Sequence, residues 1–165
     1  HKIAAMALFT SQGPVMIAQG QEWGRSKVIA PTNYPDSNVG KLDHNSYEKD
    51  NETNWLNWEH KKLNSQLVEF YKSLIQIRKD YDLLRWAAPQ DFEFIPAAGN
   101  ISALGFVISK GEKQLAVFLN SNSDEKVSLP FDSKNWNLLL ESQKGTLLQN
   151  DEIQLPPVTG GILEK

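Results

Sequence analysis

The sequence predicts an α+β chain: a helix, a buried strand, a long loop and a second helix over residues 1–87, then an all-β antiparallel sandwich over 88–165. Three observations carry this. The apolar run Val15, Met16, Ile17, Ala18 lacks alternation, as in a strand covered on both faces. Leu63, Leu67, Phe70, Tyr71, Leu74, Ile77, Tyr81 and Leu84 recur at three- and four-residue steps, the period of a helix with one apolar face. From residue 88 the pattern changes to short strand-like runs between turn residues.

In chain order, residues 1–12 read as a helix because Ile3, Ala4, Met6, Ala7 and Leu8 favour one, and Gly13-Pro14 ends it. The run at 15–18 then reads as a buried parallel strand. Residues 19–57 form a loop rich in Asn, Asp, Gly, Pro and Ser, yet it carries two tryptophans and two tyrosines, Trp23, Trp55, Tyr34 and Tyr47. Disordered segments are poor in aromatics, so much of this loop is expected to be ordered. A helix over 58–84 follows, with Asn57 or Asn64 at its cap and Lys72, Gln76 and Lys79 on the polar face. Strands are expected at 91–95, 102–108, 114–120, 126–129, 136–140, 152–155 and 161–163, a spacing that suggests a sandwich.

Composition narrows the function classes. The chain has 165 residues, 40% of them apolar, and a net charge of −3 with both signs interspersed. It has no basic stripe of the kind that binds nucleic acid, and no apolar run approaching the roughly 18 residues of a membrane span. Cysteine is absent, which removes disulfides and thiolate metal sites. His44 and His60 stand 16 residues apart without a third ligand at metal spacing, so no metal and no cofactor are expected. His1-Lys2-Ile3 carries neither an initiator Met nor a signal-peptide layout, which suggests a chain cut from something longer, a processed terminus being the alternative. A lone parallel strand also needs neighbours that these 165 residues do not supply. Nothing in the sequence assigns a compartment.

Three stretches carry a resemblance. Residues 11–27, SQGPVMIAQGQEWGRSK, are similar to the segment around the last barrel strand of the α-amylase superfamily of glycoside hydrolases. Gly13 directly precedes Pro14 where the family has one residue between, and Ser26 stands where Thr is common. Residues 45–58, NSYEKDNETNWLNW, resemble the loop of glycogen-debranching and isoamylase-type enzymes, and the opening Asn-Ser-Tyr is also that of pullulanases. Pullulanases carry Asp at the positions of Asn51 and Asn57, so the choice between the two types stays open. The helix FYKSLIQIRK at 70–79 resembles the family's last barrel helix, and the β-rich tail its closing sandwich.

This resemblance implies a fold, a partner and a set of residues. The fold would be the last strand and helices of a TIM (β/α)8 barrel, with loop 20–57 on the substrate side, where such barrels bind ligands. The reaction would be retaining hydrolysis of α-1,6-glucosidic branches in glycogen, starch or pullulan. It needs two carboxyl groups about 5 Å apart. The family takes these from earlier strands, so Glu22, Asp43, Asp50 and Glu52 are not assigned to catalysis and this chain is expected to be inactive alone. The substrate contacts implied are Trp23, Arg25, Asn45, Tyr47, Asp50, Asn51 and Asn54. Glu22 is expected to pair with Arg25; Tyr47, Trp55 and Trp58 are candidates to stack on a glucose ring, but if the helix begins early Trp55 and Trp58, three residues apart, share one face and one or both pack in the core. The partners would be the α-glucan and the missing N-terminal barrel part, with self-association of the isolated piece. Two alternatives stand beside this reading: an α-1,4-acting amylase or transglycosylase of the same superfamily, and a non-catalytic carbohydrate-binding module.

Overall fold

The computed structural model describes residues 1–97 and 99–165. It is an α+β chain with antiparallel sheets. Contacts divide it into two compact units, residues 17–69 and residues 1–16 with 70–165.

In the larger unit, helix α1 (Lys2–Thr10) buries Ala5, Met6, Phe9 and Thr10. Its last turn has no basic residue of its own. The carbonyls at and beyond its end are met by Arg78, which donates to Phe9 O at 2.7 Å, Ser11 O at 2.8 Å and Gly13 O at 2.5 Å. A guanidinium on orphan carbonyls also complements the negative end of a helix. The expected helix over 58–84 is three pieces: α2 (Trp58–Leu63), α3 (Ser65–Asp80) and α4 (Leu83–Trp86). Asn57 caps α2, its side chain accepting from Glu59 N–H at 3.0 Å. Phe70, Tyr71, Leu74, Leu83 and Leu84 are buried as their period predicts, whereas Leu63 is exposed. Phe9 meets Tyr71 edge to face with centroids 5.8 Å apart.

Among the described residues eight strands follow: β1 (Phe92–Ile95), β2 (Ala103–Lys110), β3 (Lys113–Asn120), β4 (Val127–Pro130), β5 (Asn137–Glu141), β6 (Leu147–Gln149), β7 (Glu152–Leu155) and β8 (Thr159–Glu164). They make a five-stranded sheet in the order β1-β2-β3-β8-β5 and a three-stranded sheet β4-β7-β6. Strand β6 escaped the sequence reading because three residues after a Lys-Gly turn leave no period to read. Ala116, Phe118 and Leu163 of one sheet share a core with Val127, Leu129, Ile153 and Leu155 of the other. Phe118 and Phe131 meet edge to face at 4.7 Å. Strand β3 is buried from Leu115 to Asn120 because its second face lies under α1.

Gly160 is where α1 comes closest to the sheet. A Cβ there would stand 2.7 Å from Leu119 Cδ2, 2.8 Å from Met6 Sδ and 3.2 Å from Phe118 O. Gly160→Ala is therefore expected to overpack this layer and lower stability by about 1–3 kcal/mol, measured by thermal unfolding. A variant as stable as the parent chain would show that α1 can shift without cost.

Tyr81 donates its hydroxyl to the Glu164 carboxylate. Burial first, then that bond and the charges of Glu164 and Asp80, push its pKa up to about 12. The folded value lies above the unfolded one of about 10. The stabilisation is thus fully present below pH 10 or so and is lost as pH rises through about 12. Ultraviolet titration is expected to show a tyrosine ionising near pH 12 that disappears in Tyr81→Phe.

The run at residues 15–18 forms no strand in this chain. Its backbone lies outside every ladder, and Met16 is 87% exposed. The physical reason is pairing: a parallel strand needs hydrogen-bonding neighbours, and among the described residues none lies beside it.

Candidate functional site

The smaller unit, residues 17–69, holds every residue expected to meet substrate. Its order comes from polar side chains bonded to backbone, which is how a long loop without regular ladders satisfies its amides.

Gly20 and Gly24, with φ of 89° and 68°, bracket a 3₁₀ turn at Gln21–Trp23. Arg25 N–H donates to Gly20 O at 2.9 Å. A Cβ on Gly20 would fall 2.9 Å from the Arg25 side chain and 3.3 Å from Leu56, so the tight return here admits only glycine. The segment after it folds back on itself. An isolated bridge joins Val28 to Leu42, with Ile29 N–H on Lys41 O at 2.9 Å and Asp43 N–H on Lys27 O at 2.8 Å. Asp43 then receives Lys49 Nζ at 2.6 Å and Asn45 N–H at 2.9 Å. These partners, Lys49 first, hold its carboxyl below the usual carboxylate range.

Asn54 is the hub of the loop. Its Nδ2 donates to Ser46 O and Lys49 O, each at 2.5 Å, and its Oδ1 accepts from Ser46 Oγ at 2.7 Å. Its own carbonyl accepts from the Arg25 guanidinium, which also reaches Gln19 O at 3.4 Å. Next to it, Thr53 Oγ1 accepts from Ala30 N–H at 3.0 Å. Three stretches of chain are thus pinned to residues 53 and 54, and Ser46 and Thr53 are buried.

This arrangement sorts the predicted residues. Arg25, Asn51 and Asn54 make their hydrogen bonds inside the loop, Arg25 through its two terminal nitrogens while its Nε is buried without a partner; Asn51 accepts from Thr53 N–H at 3.0 Å as the cap of a 3₁₀ turn at Glu52–Asn54. Glu22 is not paired with Arg25: its carboxylate accepts from Gly20 N–H at 3.0 Å, because the turn brings that amide nearer than the guanidinium. Trp23, expected on the substrate side, is instead the buried ring of this unit, 3% exposed and with its centroid 5.2 Å from that of Trp58. Asn45, Asp50 and Tyr47 stay at the surface, Tyr47 at 76% exposure with its hydroxyl on Glu48 at 2.5 Å.

Trp55 and Trp58, expected in the core if the helix began early, are the displayed rings, 65% and 55% exposed. They line an open groove of about 430 Å³ together with Glu52, Leu56, Asn57 and Glu59. The helix begins only after Asn57, so Trp55 never joins the helical face that the spacing suggested. The signal in the sequence was the pair Asn54 and Asn57 around them, residues that favour turns and caps over continuous helix. Among the described residues no group of three or more His, Asp or Glu is placed to hold a metal ion, and no helix is long and apolar enough to cross a membrane.

No family model matches the chain. A cyclomaltodextrinase of Geobacillus thermopakistaniensis is 29% identical over 104 residues, which is 61% of this chain and 17% of that protein. Among solved structures, a pullulanase mutant from Paenibacillus barengoltzii complexed with maltotetraose aligns over 99% of this chain and 24% of its own, with a TM-score of 0.75 and 24% identity. The Group B Streptococcus pullulanase SAP aligns over 99% of this chain and 27% of its own, with a TM-score of 0.80 and 17% identity. An α-amylase from H. orenii aligns over 99% and 35%, with a TM-score of 0.65 and 22% identity. The chain therefore spans only about a quarter of the pullulanases it matches. Over that span it has the fold of the matched parts of these pullulanases and of the α-amylase.

Proposed function

We propose that this chain is the C-terminal part of an α-glucan debranching hydrolase. Residues 1–87 would be the end of its catalytic barrel and residues 88–165 its closing β domain. The run at 15–18 becomes a strand when the rest of the barrel supplies its neighbours. The parent cleaves α-1,6-glucosidic bonds with retention, using carboxylates outside this chain, and these residues contribute the substrate-side loop. Arg25, Asn51 and Asn54 hold that loop; Asn45, Tyr47 and Asp50 contact glucan, as the sequence motifs imply.

The observation that carries this reading is the segment 45–58. It fits the spacing of the isoamylase-type loop without a gap, departing from pullulanases at Asn51 and Asn57, and it folds here around Asn54 with its tyrosine and two tryptophans at the surface. Higher TM-scores to pullulanases, 0.75 and 0.80, than to the α-amylase, 0.65, support the same assignment. The maltotetraose held by one of those pullulanases supports the coarser reading, an α-glucan as substrate.

The cyclomaltodextrinase relative favours a second reading, an α-1,4-acting enzyme of the same superfamily. Assay of the full-length parent on pullulan, glycogen and starch separates the two. Debranching predicts new reducing ends from pullulan and from glycogen branch points. Ends released from starch but not from branch points would defeat the debranching assignment. Absence of any barrel sequence upstream of His1 would favour a carbohydrate-binding module instead.

A further inference from the structure

We infer that the cavity walled by Arg78, Arg85 and Trp86 is an anion site that takes the phosphate group of a small phosphate monoester. It lies wholly within the larger unit, and the inference does not depend on the α-glucan reading.

The local chain builds the cavity. Gly13, at φ 83°, turns the backbone after α1, and Pro14 and Val15 continue along one wall. The carbonyls of Phe9, Ser11 and Gly13 draw in Arg78 from the end of α3. Arg85 of α4 folds back on that same end, its Nη1 donating to Arg78 O at 2.7 Å and Lys79 O at 3.3 Å. The enclosed volume is about 300 Å³, at the lower end of small-molecule sites, roughly 300–1,000 Å³.

The cavity is cationic. Two guanidiniums line it and no acidic side chain does. Among the described residues no carboxylate lies within ion-pair distance of either; the ion pairs join Lys49 to Asp43 and Lys62 to Glu59. Burial first, and then the charge of Arg85, hold the Arg78 guanidinium below the ordinary arginine range. Backbone carbonyls satisfy hydrogen bonds but carry no net charge, so the repulsion between the two cations stays uncompensated. An arginine clasped to carbonyls also closes a helix, and Arg78 with its three carbonyls is accounted for in that way. Arg85 is not. Only its Nη1 is engaged, while Nε and Nη2, the edge that meets two oxygens at once, make no hydrogen bond among the described residues.

The charge and the walls choose the ligand. A carboxylate would cancel one guanidinium. A phosphate monoester carries about −1.5 to −2 at pH 7 and offers three acceptor oxygens, which matches the pair. The remaining space is bounded by Pro14, Val15 and Trp86. Trp86 is 69% exposed, with its carbonyl held by Lys110 Nζ at 2.7 Å. A displayed indole beside an anion site offers a flat face to the small ring that carries the phosphate, a sugar or a base.

The test is a proton–nitrogen NMR titration of the 165-residue chain at constant ionic strength, read at the Arg85 Nε–H and the Trp86 indole N–H. Inorganic phosphate, glucose 6-phosphate and adenosine monophosphate form separate arms, with acetate and unphosphorylated glucose as controls. Inorganic phosphate is expected to shift the Arg85 signal saturably. One of the two esters should bind about tenfold tighter and shift Trp86 as well, and the tighter of them tells whether the ring is a sugar or a base. Arg85→Gln should weaken every phosphate arm about tenfold, and Arg85→Lys, which keeps the charge and loses the fork, by about threefold or more. Trp86→Ala, at an exposed position, should lower the ester to the affinity of inorganic phosphate and leave inorganic phosphate unchanged. Three results overturn the inference: an Arg85 Nε–H silent in all phosphate arms, acetate binding as tightly as phosphate, or esters that bind no tighter than inorganic phosphate and leave Trp86 unmoved.

Discussion

Replacing Asn120 with leucine is expected to destabilise the β-rich unit by about 3 kcal/mol. Asn120 is fully buried at the end of β3. Its amide donates to Glu125 O at 2.9 Å, Leu155 O at 3.2 Å and Pro156 O at 2.9 Å, and its oxygen accepts from Asn122 N–H at 3.0 Å. One side chain thus satisfies the backbone where β3, the turn before β4 and the end of β7 converge. Leucine keeps the volume but removes the amide from the buried bond to Leu155 O and from the part-buried bonds to Glu125 O and Pro156 O. The cost is the desolvation of groups left without partners, which exceeds the net worth of the bonds themselves. In urea the midpoint should fall by about 1.5 M if the slope is about 2 kcal/mol/M. A midpoint unchanged within about 0.3 M would mean that water enters and replaces the amide.

Asn54→Ala is expected to open the candidate site and leave the sheets intact. Three side-chain bonds are lost, two of them to backbone carbonyls of the 46–49 turn. At about 1 kcal/mol each, the local opening free energy falls by roughly 3 kcal/mol. Amide exchange at residues 49, 54 and 55 should accelerate on the order of a hundredfold, because about 2.7 kcal/mol corresponds to that ratio. Exchange in β3 and β8 should not change. On the proposed function, the same variant in the full-length parent is expected to raise KM for pullulan with a smaller effect on kcat, as follows for a loop that would bind glucan without touching the reacting bond. Acceleration spread evenly over the whole chain would show that the hub supports global folding instead.

Much of the β-rich part was legible because its local signals agree with one another. The runs at 102–108 and 114–120 are long, and the Lys-Gly turn between them fixes a hairpin. Their register then places Phe118 against Gly105, where no side chain competes for the space. Asn57 marked a helix start by its own side chain. The aromatic assignments failed for a different reason. Trp23 and Trp55 are chemically identical, and only the fold decides which one stacks on Trp58. Period alone placed Trp55 beside Trp58 on a helix, but the cap at Asn57 starts the helix after it. The ion pair expected between Glu22 and Arg25 lost to nearer backbone partners, which no count of residues reveals.

The sequence by itself determined the succession of helical and β-rich parts, most of the apolar faces they bury, and the loop whose motif resembles that of α-glucan hydrolases. These follow from spacing along one chain, where side-chain period and turn chemistry act locally. Only the tertiary structure decided which polar groups are spent on the loop and which remain for a ligand, because hydrogen bonds at Asn54 join segments far apart in sequence. It also decided that residues 15–18 stay unpaired here, since a ladder is a property of two strands and never of one.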